Sequence, residues 1–108
     1  MGRTGLGEFE HQVLLTILRL DRESYSVPIV AELDARTGRE TATSAVYIAL
    51  RRLEKKGFLS SRLESPEDSG EPYPRRYFAL TEAALEPLKE ARQAYLSLWD
   101  GLEPALDD

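Results

Sequence analysis

The sequence has no cysteine, one histidine and no long apolar run, and these absences exclude several classes of protein. Without cysteine there is neither a disulfide bridge nor a thiolate nucleophile. No apolar run approaches the roughly 20 residues that a transmembrane helix needs, and no hydrophobic block near the start indicates a signal peptide. The chain also has no glycine-rich phosphate loop, metal-ligand cluster or paired acid and base. We therefore expect a cytoplasmic protein that is not an enzyme, with no catalytic residue, metal or cofactor.

The charge of the chain is unevenly distributed. The net charge of the 108 residues is −5, which by itself disfavours nucleic acid as a partner. Residues 36–62, however, hold seven basic and two acidic side chains, whereas residues 81–108 hold two basic and seven acidic ones. The middle of the chain is therefore basic and its end acidic, and the local field decides where a polyanion binds.

Apolar spacing predicts one small domain that is mainly α-helical with a small antiparallel β-hairpin. The first helix is apolar nearly all round, so we expect a second subunit to cover one of its sides. His11, on that helix, is expected to pack rather than to bind a ligand. The order helix, helix, helix, strand, strand, helix is typical of a winged helix-turn-helix. The predicted elements are Glu8–Leu20, Val27–Thr37, Thr43–Lys56, Phe58–Leu63, Arg75–Leu80 and Glu82 to about Leu102.

Turn and cap residues mark the ends of these elements. We predict a polar turn at Asp21–Ser26, and helix stops at Gly38 and Gly57. Pro28 suits the first turn of the second helix, but Pro87 falls beyond the first turn of the last helix, where it should remove a hydrogen bond; whether it also bends the helix is left open. The predicted side-chain N-caps are Ser24 or Ser26, Thr41 or Thr43, and Thr81.

The third helix is the candidate recognition helix for DNA. One face carries Val46, Ala49, Leu50 and Leu53 at helical spacing, which should anchor it, while the opposite face is polar and basic. The alternative is an amphipathic helix with a solvated basic face. We expect base contacts near the N-terminus of the helix, from Thr43, Ser44 and Tyr47, and phosphate contacts from Arg51, Arg52, Lys55 and Lys56.

The predicted hairpin is the candidate wing. Arg75 and Arg76 enter its second strand and are expected to contact DNA. Alternatively, these arginines pair with the acidic residues at the tip of the hairpin, which would repel phosphate. The tip acids are Glu64, Glu67, Asp68 and Glu71.

The last helix carries a stripe with alternating spacings of three and four residues, which is apolar except at Arg92 and is strained by Gly101 and Pro104. We call it the C-terminal stripe: Leu85, Leu88, Arg92, Tyr95, Trp99, Leu102 and Leu106. Such a stripe cannot be buried by one helix alone, so it folds back on the first helix, pairs with a second subunit, or does both. We predict a DNA-binding domain over residues 1–80 and a dimerisation helix over residues 81–108, with Leu85, Leu88, Tyr95, Trp99 and Leu102 at the homodimer interface. Tyr95 and Trp99 are expected to pack there, and the alternative is a pocket for a flat small-molecule effector.

Four stretches of the sequence resemble the PadR family of bacterial transcription regulators. They are Leu6–Glu10 with Val13–Leu15, Tyr25–Val27, Ala45–Gly57 and Arg75–Thr81. The resemblance covers about Leu6 to Ala84 and is closest to the small members with a single C-terminal helix. It implies a homodimeric repressor, often released by a small ligand, with Tyr47 facing DNA and Arg75, Arg76 and Tyr77 in the wing. Departures from the family pattern fall at caps and turns: Ser26, Ala42, Glu82 and Ala84.

Two functional hypotheses follow from these patterns. The first is a sequence-specific repressor that binds double-stranded DNA as a homodimer at an inverted-repeat operator, with a small-molecule effector as a further partner and no membrane association. The second is a winged-helix module that docks on proteins through its acidic C-terminal helix, since a fold alone does not fix function. The four cations of Arg51–Lys56 favour DNA, because protein docking has no need of them.

Overall fold

A computed structural model describes residues 5–65, 67 and 74–106, and within these ranges the predicted mainly helical architecture is confirmed. Three helices precede the two longer strands of a small antiparallel sheet, a short third strand lies between the first two helices, and a long helix follows the sheet. A 3-10 turn at Glu82–Ala84 introduces this last long helix. The elements are α1 (Glu8–Arg19), β1 (Glu23–Ser24), α2 (Ser26–Thr37), α3 (Thr43–Lys55), β2 (Leu59–Leu63), β3 (Arg76–Leu80), α4 (Leu85–Trp99) and α5 (Glu103–Leu106).

One apolar core joins the first three helices, the sheet and the start of α4. Phe78, at the centre of β3, is 1% exposed and is among the largest fully buried side chains. Burial of each such side chain contributes about 1.5 to 3 kcal/mol, so this core is the main source of stability. Its other members are Val13, Leu14, Ile17, Ile29, Leu33, Val46, Ala49, Leu50, Leu53, Leu59 and Leu88.

The sheet has three strands in the order β1-β3-β2, which corrects the predicted two-stranded hairpin. The extra strand, Glu23–Ser24, lies in the segment that we predicted to be only a polar turn. Asp21 and Arg22 both adopt positive φ, so the chain reverses and Ser24 pairs with Phe78. Two residues are too few to show the alternation from which a strand is predicted.

The predicted side-chain caps are wrong, because the helices begin at residues other than those expected. The N-cap of α2 is Tyr25 and that of α3 is Ala42, and neither provides a capping side chain. Thr81 does stand at the N-cap of the 3-10 turn, but its hydroxyl donates to the carbonyl of Gly57, at 2.6 Å, instead of capping. The predicted stop at Gly38 is confirmed: this residue caps α2 with φ of 73°, in the left-handed region that suits glycine.

The last helix differs from the expected continuous one at both ends. Because the 3-10 turn comes first, Pro87 is the third residue of α4, where its missing N–H removes no helical hydrogen bond. The expectation that it lies beyond the first turn is therefore wrong. At the other end α4 stops at Trp99, and Gly101 turns the chain with φ of 82° before the short α5. Leu102 and Leu106 consequently do not share one helix with the rest of the C-terminal stripe.

Candidate nucleic-acid interface

Helix α3 has one buried face and one exposed face, as its periodicity predicts. Val46, Leu50 and Leu53 are completely buried, and Ala49 nearly so. The exposed side chains include every α3 residue predicted to meet DNA, and two large apolar groups stand among them: Tyr47, 42% exposed, and Ile48, 55% exposed. The exposed residues are Thr43, Ser44, Ala45, Tyr47, Ile48, Arg51, Arg52 and Lys55.

The cations at the end of α3 have different environments. Arg51 Nη1 lies 3.1 Å from Glu54 Oε1, in a partly exposed pair one helical turn apart. Lys56, which follows the helix, is ion-paired with α1: its Nζ lies 2.7 Å from Glu10 Oε1 and also donates to the carbonyl of Gly5. Arg51, Arg52 and Lys55 therefore form the outward basic surface, and Lys56 belongs to the contact between α3 and α1.

Glu10 is the most enclosed carboxylate of this contact. Burial raises its pKa, but a hydrogen bond from the Gly7 N–H, an ion pair with Lys56 and the nearby charge of Arg52 together lower the pKa below the ordinary value of 4.5. The Gly7 nitrogen lies 2.9 Å from Glu10 Oε1, so the same oxygen satisfies the first turn of α1. The sequence shows no signal for the ion pair between Glu10 and Lys56, since 46 residues separate them.

Tyr47 lies on the side of α3 that faces the wing, which we define as strands β2 and β3 together with Pro74 and Arg75. Its ring meets Phe78 edge-on, with centroids 6.1 Å apart. A groove of about 540 Å³ runs between α3, the start of α2 and the wing, and Tyr47, Arg75 and Arg76 all line it. The structure thus brings the predicted wing arginines next to the predicted recognition helix.

Arg75 and Arg76 nevertheless make different contacts. The Arg75 guanidinium lies over the Tyr25 ring, 4.8 Å from its centroid, and its Nε lies 4.0 Å from Glu64 Oε2. Arg76 instead donates to the Ser61 hydroxyl at 2.9 Å. Among the tip acids, Glu64 pairs with Arg75, while Asp68 and Glu71 lie outside the described residues.

A polar chain connects the wing to α3. Arg76 donates to Ser61, the Ser61 hydroxyl donates to Glu54 Oε2 at 2.5 Å, and the other carboxylate oxygen of Glu54 pairs with Arg51. The sequence analysis assigned no role to Ser61 or Glu54. The spacing of three residues between Arg51 and Glu54 is a signal for their ion pair, but not for the contact with Ser61. These hydrogen bonds therefore fix Arg76 of the wing relative to Arg51 of α3.

The C-terminal stripe divides into a covered part and an exposed part. Leu88 belongs to the core and Leu85 is half-buried, whereas Tyr95, Trp99, Leu102 and Leu106 are exposed although they are apolar. Two leucines of α1 are exposed as well. This exposed apolar surface consists of Leu15, Leu18, Tyr95, Leu96, Leu98, Trp99, Leu102 and Leu106.

A groove of about 480 Å³ lies between α1 and α4. Its floor is apolar, with Leu15, Leu18 and Leu88, and Arg92 stands at its edge. Tyr95 lines the groove, but Trp99 does not, so the two aromatic residues of the predicted ligand pocket are not brought together there. His11 lines it too, and burial lowers the pKa of its imidazole.

No group of His, Asp and Glu side chains in the described ranges is arranged to hold a metal ion. None of the helices described is both long and apolar enough to cross a bilayer.

The family comparison matches residues 14–90 to the transcriptional regulator PadR-like family. Since the match spans most of the chain, including α3 and the wing strands, the chain belongs to this family. The predicted resemblance is therefore confirmed, and the chain is a transcription regulator with a winged-helix DNA-binding fold rather than an enzyme.

Solved structures agree with this assignment. A PadR family transcriptional regulator from Eggerthella lenta is 29% identical, with a TM-score of 0.68 over 88% of this chain and 80% of that one. A PadR-like transcriptional regulator from Bacillus cereus is 23% identical, with a TM-score of 0.72 over 93% and 92%. A winged-helix DNA-binding protein from STIV shares the fold at 14% identity, with a TM-score of 0.66 over 82% and 87%. Comparison with curated proteins gives no match.

Proposed function

We propose that this chain is a homodimeric repressor that binds an inverted-repeat operator through α3 and the wing. The observation that carries the proposal is the division of α3 into a fully buried face and an outward face with three basic side chains, Arg51, Arg52 and Lys55. A recognition helix needs this division, because it must be held rigidly while it enters a groove about 12 Å wide.

Base contacts are assigned to the start of α3. Thr43, Ser44 and Tyr47 are exposed there, and the small side chains of Thr43 and Ser44 allow the helix to approach the base edges closely. The cations lie one to three turns later, where they meet phosphates. Arg75 and Arg76 of the wing line the same groove as Tyr47, which supports a second backbone contact beside the first.

Residues 81–108 are assigned to dimerisation, and residues 1–80 to DNA binding. Six exposed apolar residues lie on α4 and beyond it, and Leu15 and Leu18 of α1 add to them. An apolar surface of this extent marks an interaction site, and a second copy of the same chain covers it most economically, because each copy offers the surface that the other needs. Leu85, Leu88, Tyr95, Trp99 and Leu102 form or support this interface.

A two-fold dimer presents two α3 helices to one side of the DNA. Each reads one half-site, and half-sites about 34 to 36 Å apart lie on the same face of the duplex. Binding at such an operator within a promoter would block transcription, and this is the repression that we propose. The spacing of the two helices depends on how α1 and α4 pack.

A small-molecule effector would act on that packing. The groove between α1 and α4 is apolar along its floor, with Tyr95 on its wall and Lys89 and Arg92 at its edge. A flat ligand with a negative charge suits this lining. Its binding would alter the angle between the subunits, and thereby the fit to both half-sites.

The experiment that tests the proposal is selection of a random pool of DNA duplexes with the full chain. Enrichment of an inverted repeat, followed by a shift of the gene's own promoter fragment carrying that repeat, is the expected result. Uniform, weak binding of all duplexes contradicts sequence-specific repression. Complete absence of DNA binding, together with capture of a protein through the acidic α4, is the outcome expected of a protein-docking module instead.

A further inference from the structure

Ile48 is an apolar side chain at the centre of the outward face of α3, and the proposed contacts give it no role. It is the sixth residue of this 13-residue helix and is 55% exposed. Ser44 lies one turn before it, and Arg51 and Arg52 lie one turn after it. The residue therefore stands between the side chains assigned to bases and those assigned to phosphates.

The folded subunit gains little from an isoleucine at this position. The buried face of α3 is complete without it, since Val46, Leu50 and Leu53 are fully enclosed. A β-branched residue also forms a helix less readily than leucine or alanine does. Ile48 forms one wall of a shallow groove of about 430 Å³ between α3 and the start of α1, but it does not fill this groove.

The major groove offers one apolar group to such a side chain. Guanine, cytosine and adenine present only hydrogen-bond donors and acceptors there, whereas thymine adds its C5-methyl group. An isoleucine that projects from a recognition helix makes no hydrogen bond and gains free energy only by covering another apolar surface. The basic neighbours Arg51, Arg52 and Lys55 favour a polyanion over an apolar protein surface as the partner of this face.

From these observations we infer that Ile48 reads the C5-methyl group of a thymine in each half-site, and so fixes one base of the operator. The inference rests on the proposed function, because it requires α3 to lie in the major groove. It differs from the polar contacts of Ser44 and Tyr47 in one chemical respect: it responds to a methyl group and to no hydrogen-bonding atom.

Deoxyuridine tests this directly, since it lacks the methyl group of thymidine and keeps the same Watson–Crick edge. The probe is a duplex that the full-length wild-type protein selects from a random pool. Each thymidine is replaced by deoxyuridine in turn, at the symmetric positions of both half-sites. One position is expected to weaken wild-type binding by about fourfold for each half-site, or about 15-fold for both, from the burial of one methyl group.

The variant Ile48→Ala should show the same loss on the thymidine duplex and no further loss on the deoxyuridine duplex. Ile48→Val, which keeps both branches at Cβ, should retain most of the sensitivity to the methyl group. Ser44→Ala is the matched control on the same face: it should stay as sensitive to deoxyuridine as the wild type. Binding of Ile48→Ala to unrelated duplexes should be unchanged, because no charge is removed.

Two results would overturn the inference while leaving the proposed function intact. One is an operator for which no thymidine can be replaced with a measurable loss of wild-type affinity. The other is an Ile48→Ala protein that remains as sensitive to deoxyuridine as the wild type. Failure of the wild-type protein to select any sequence contradicts the proposed function itself, and the thymine contact with it.

Discussion

Lys56 and Glu10 join the end of α3 to the start of α1, with 2.7 Å between Lys56 Nζ and Glu10 Oε1. The same carboxylate oxygen accepts the Gly7 N–H, and the Lys56 ammonium also donates to the Gly5 carbonyl. This ion pair therefore adds a polar link to the apolar packing of the two helices on which DNA binding and dimerisation are proposed to depend.

Replacement of Glu10 by Gln should destabilise the fold in a manner that depends on pH. At pH 7 the free energy of unfolding should fall by about 1 to 2 kcal/mol, because an enclosed charged hydrogen bond is lost. The pKa of Glu10 is lowered in the folded chain from its ordinary value of 4.5. The carboxylate therefore contributes its full stability at a pH above 4.5, and this stability is lost as the pH falls through the lower, folded pKa. Urea titrations of wild type and variant should therefore converge as the pH falls through the folded pKa of Glu10.

Glu8→Gln is the matched control, because Glu8 lies in the same first turn of α1 and is exposed. It should change stability by no more than about 0.5 kcal/mol at any pH. Equal effects of the two substitutions at pH 7 would show that the pair with Lys56 contributes nothing beyond the general charge of the helix.

Replacement of both Arg51 and Arg52 by Ala should weaken binding to every duplex, specific or not. Each lost phosphate contact removes counterion release, so the slope of log K against log salt should flatten by about 2 per subunit. Fluorescence anisotropy at several salt concentrations measures this slope directly.

Arg36→Ala serves as the comparison for these arginines. Arg36 is also exposed and also paired within its helix, to Glu32 at 2.9 Å, but it lies on α2, outside the proposed interface. Its replacement should leave the salt slope unchanged. An unaltered slope in the variant that lacks Arg51 and Arg52 would contradict the assignment of phosphate contacts to these residues of α3.

Trp99→Asp should convert a dimer into monomers, because it places a charge within the exposed apolar surface of α4. Trp99 is the last residue of this helix and is 39% exposed in the isolated subunit, so the change should not unfold the chain. Sedimentation velocity gives the mass. Ser97→Asp adds the same charge on another side of α4 and should remain dimeric; a dimeric Trp99→Asp protein would contradict the assignment of this surface.

Ala42→Ser should stabilise the chain by about 1 kcal/mol. Ala42 is the N-cap of α3, has extended φ and ψ of −67° and 131°, and supplies no capping side chain. A serine hydroxyl there would accept a hydrogen bond from a backbone N–H in the first turn of α3. Ala35→Ser, in the last turns of α2, should give no such gain, and thermal denaturation of the two variants distinguishes a capping effect from a general effect of serine.

Several features of the molecule could be predicted from local pattern because their causes are local. The spacing of Val46, Ala49, Leu50 and Leu53 predicts the buried face of α3, since a period of 3.6 residues needs no partner to be recognised. Gly38 likewise predicts the end of α2, where only positive φ is required. The family resemblance rests on such local stretches, and it is confirmed by the match to residues 14–90.

Two of the predictions that failed concerned details set by distant parts of the chain. Thr81 was expected to cap a helix, but its hydroxyl bonds to Gly57, which is 24 residues away in sequence. Glu23–Ser24 becomes a strand because β3 offers it an open edge, and nothing within these two residues indicates it.

The sequence by itself determined the class of this protein, because the order of its elements and the motifs on α3 and the wing are written in adjacent residues. Only the tertiary structure decided how its charges and apolar groups are used. It paired Lys56 with Glu10 and left Arg51, Arg52 and Lys55 outward; it buried Leu88 and exposed Trp99 on the same stripe. The physical reason is that periodicity gives the face on which a side chain lies, whereas its partner depends on which other element packs there.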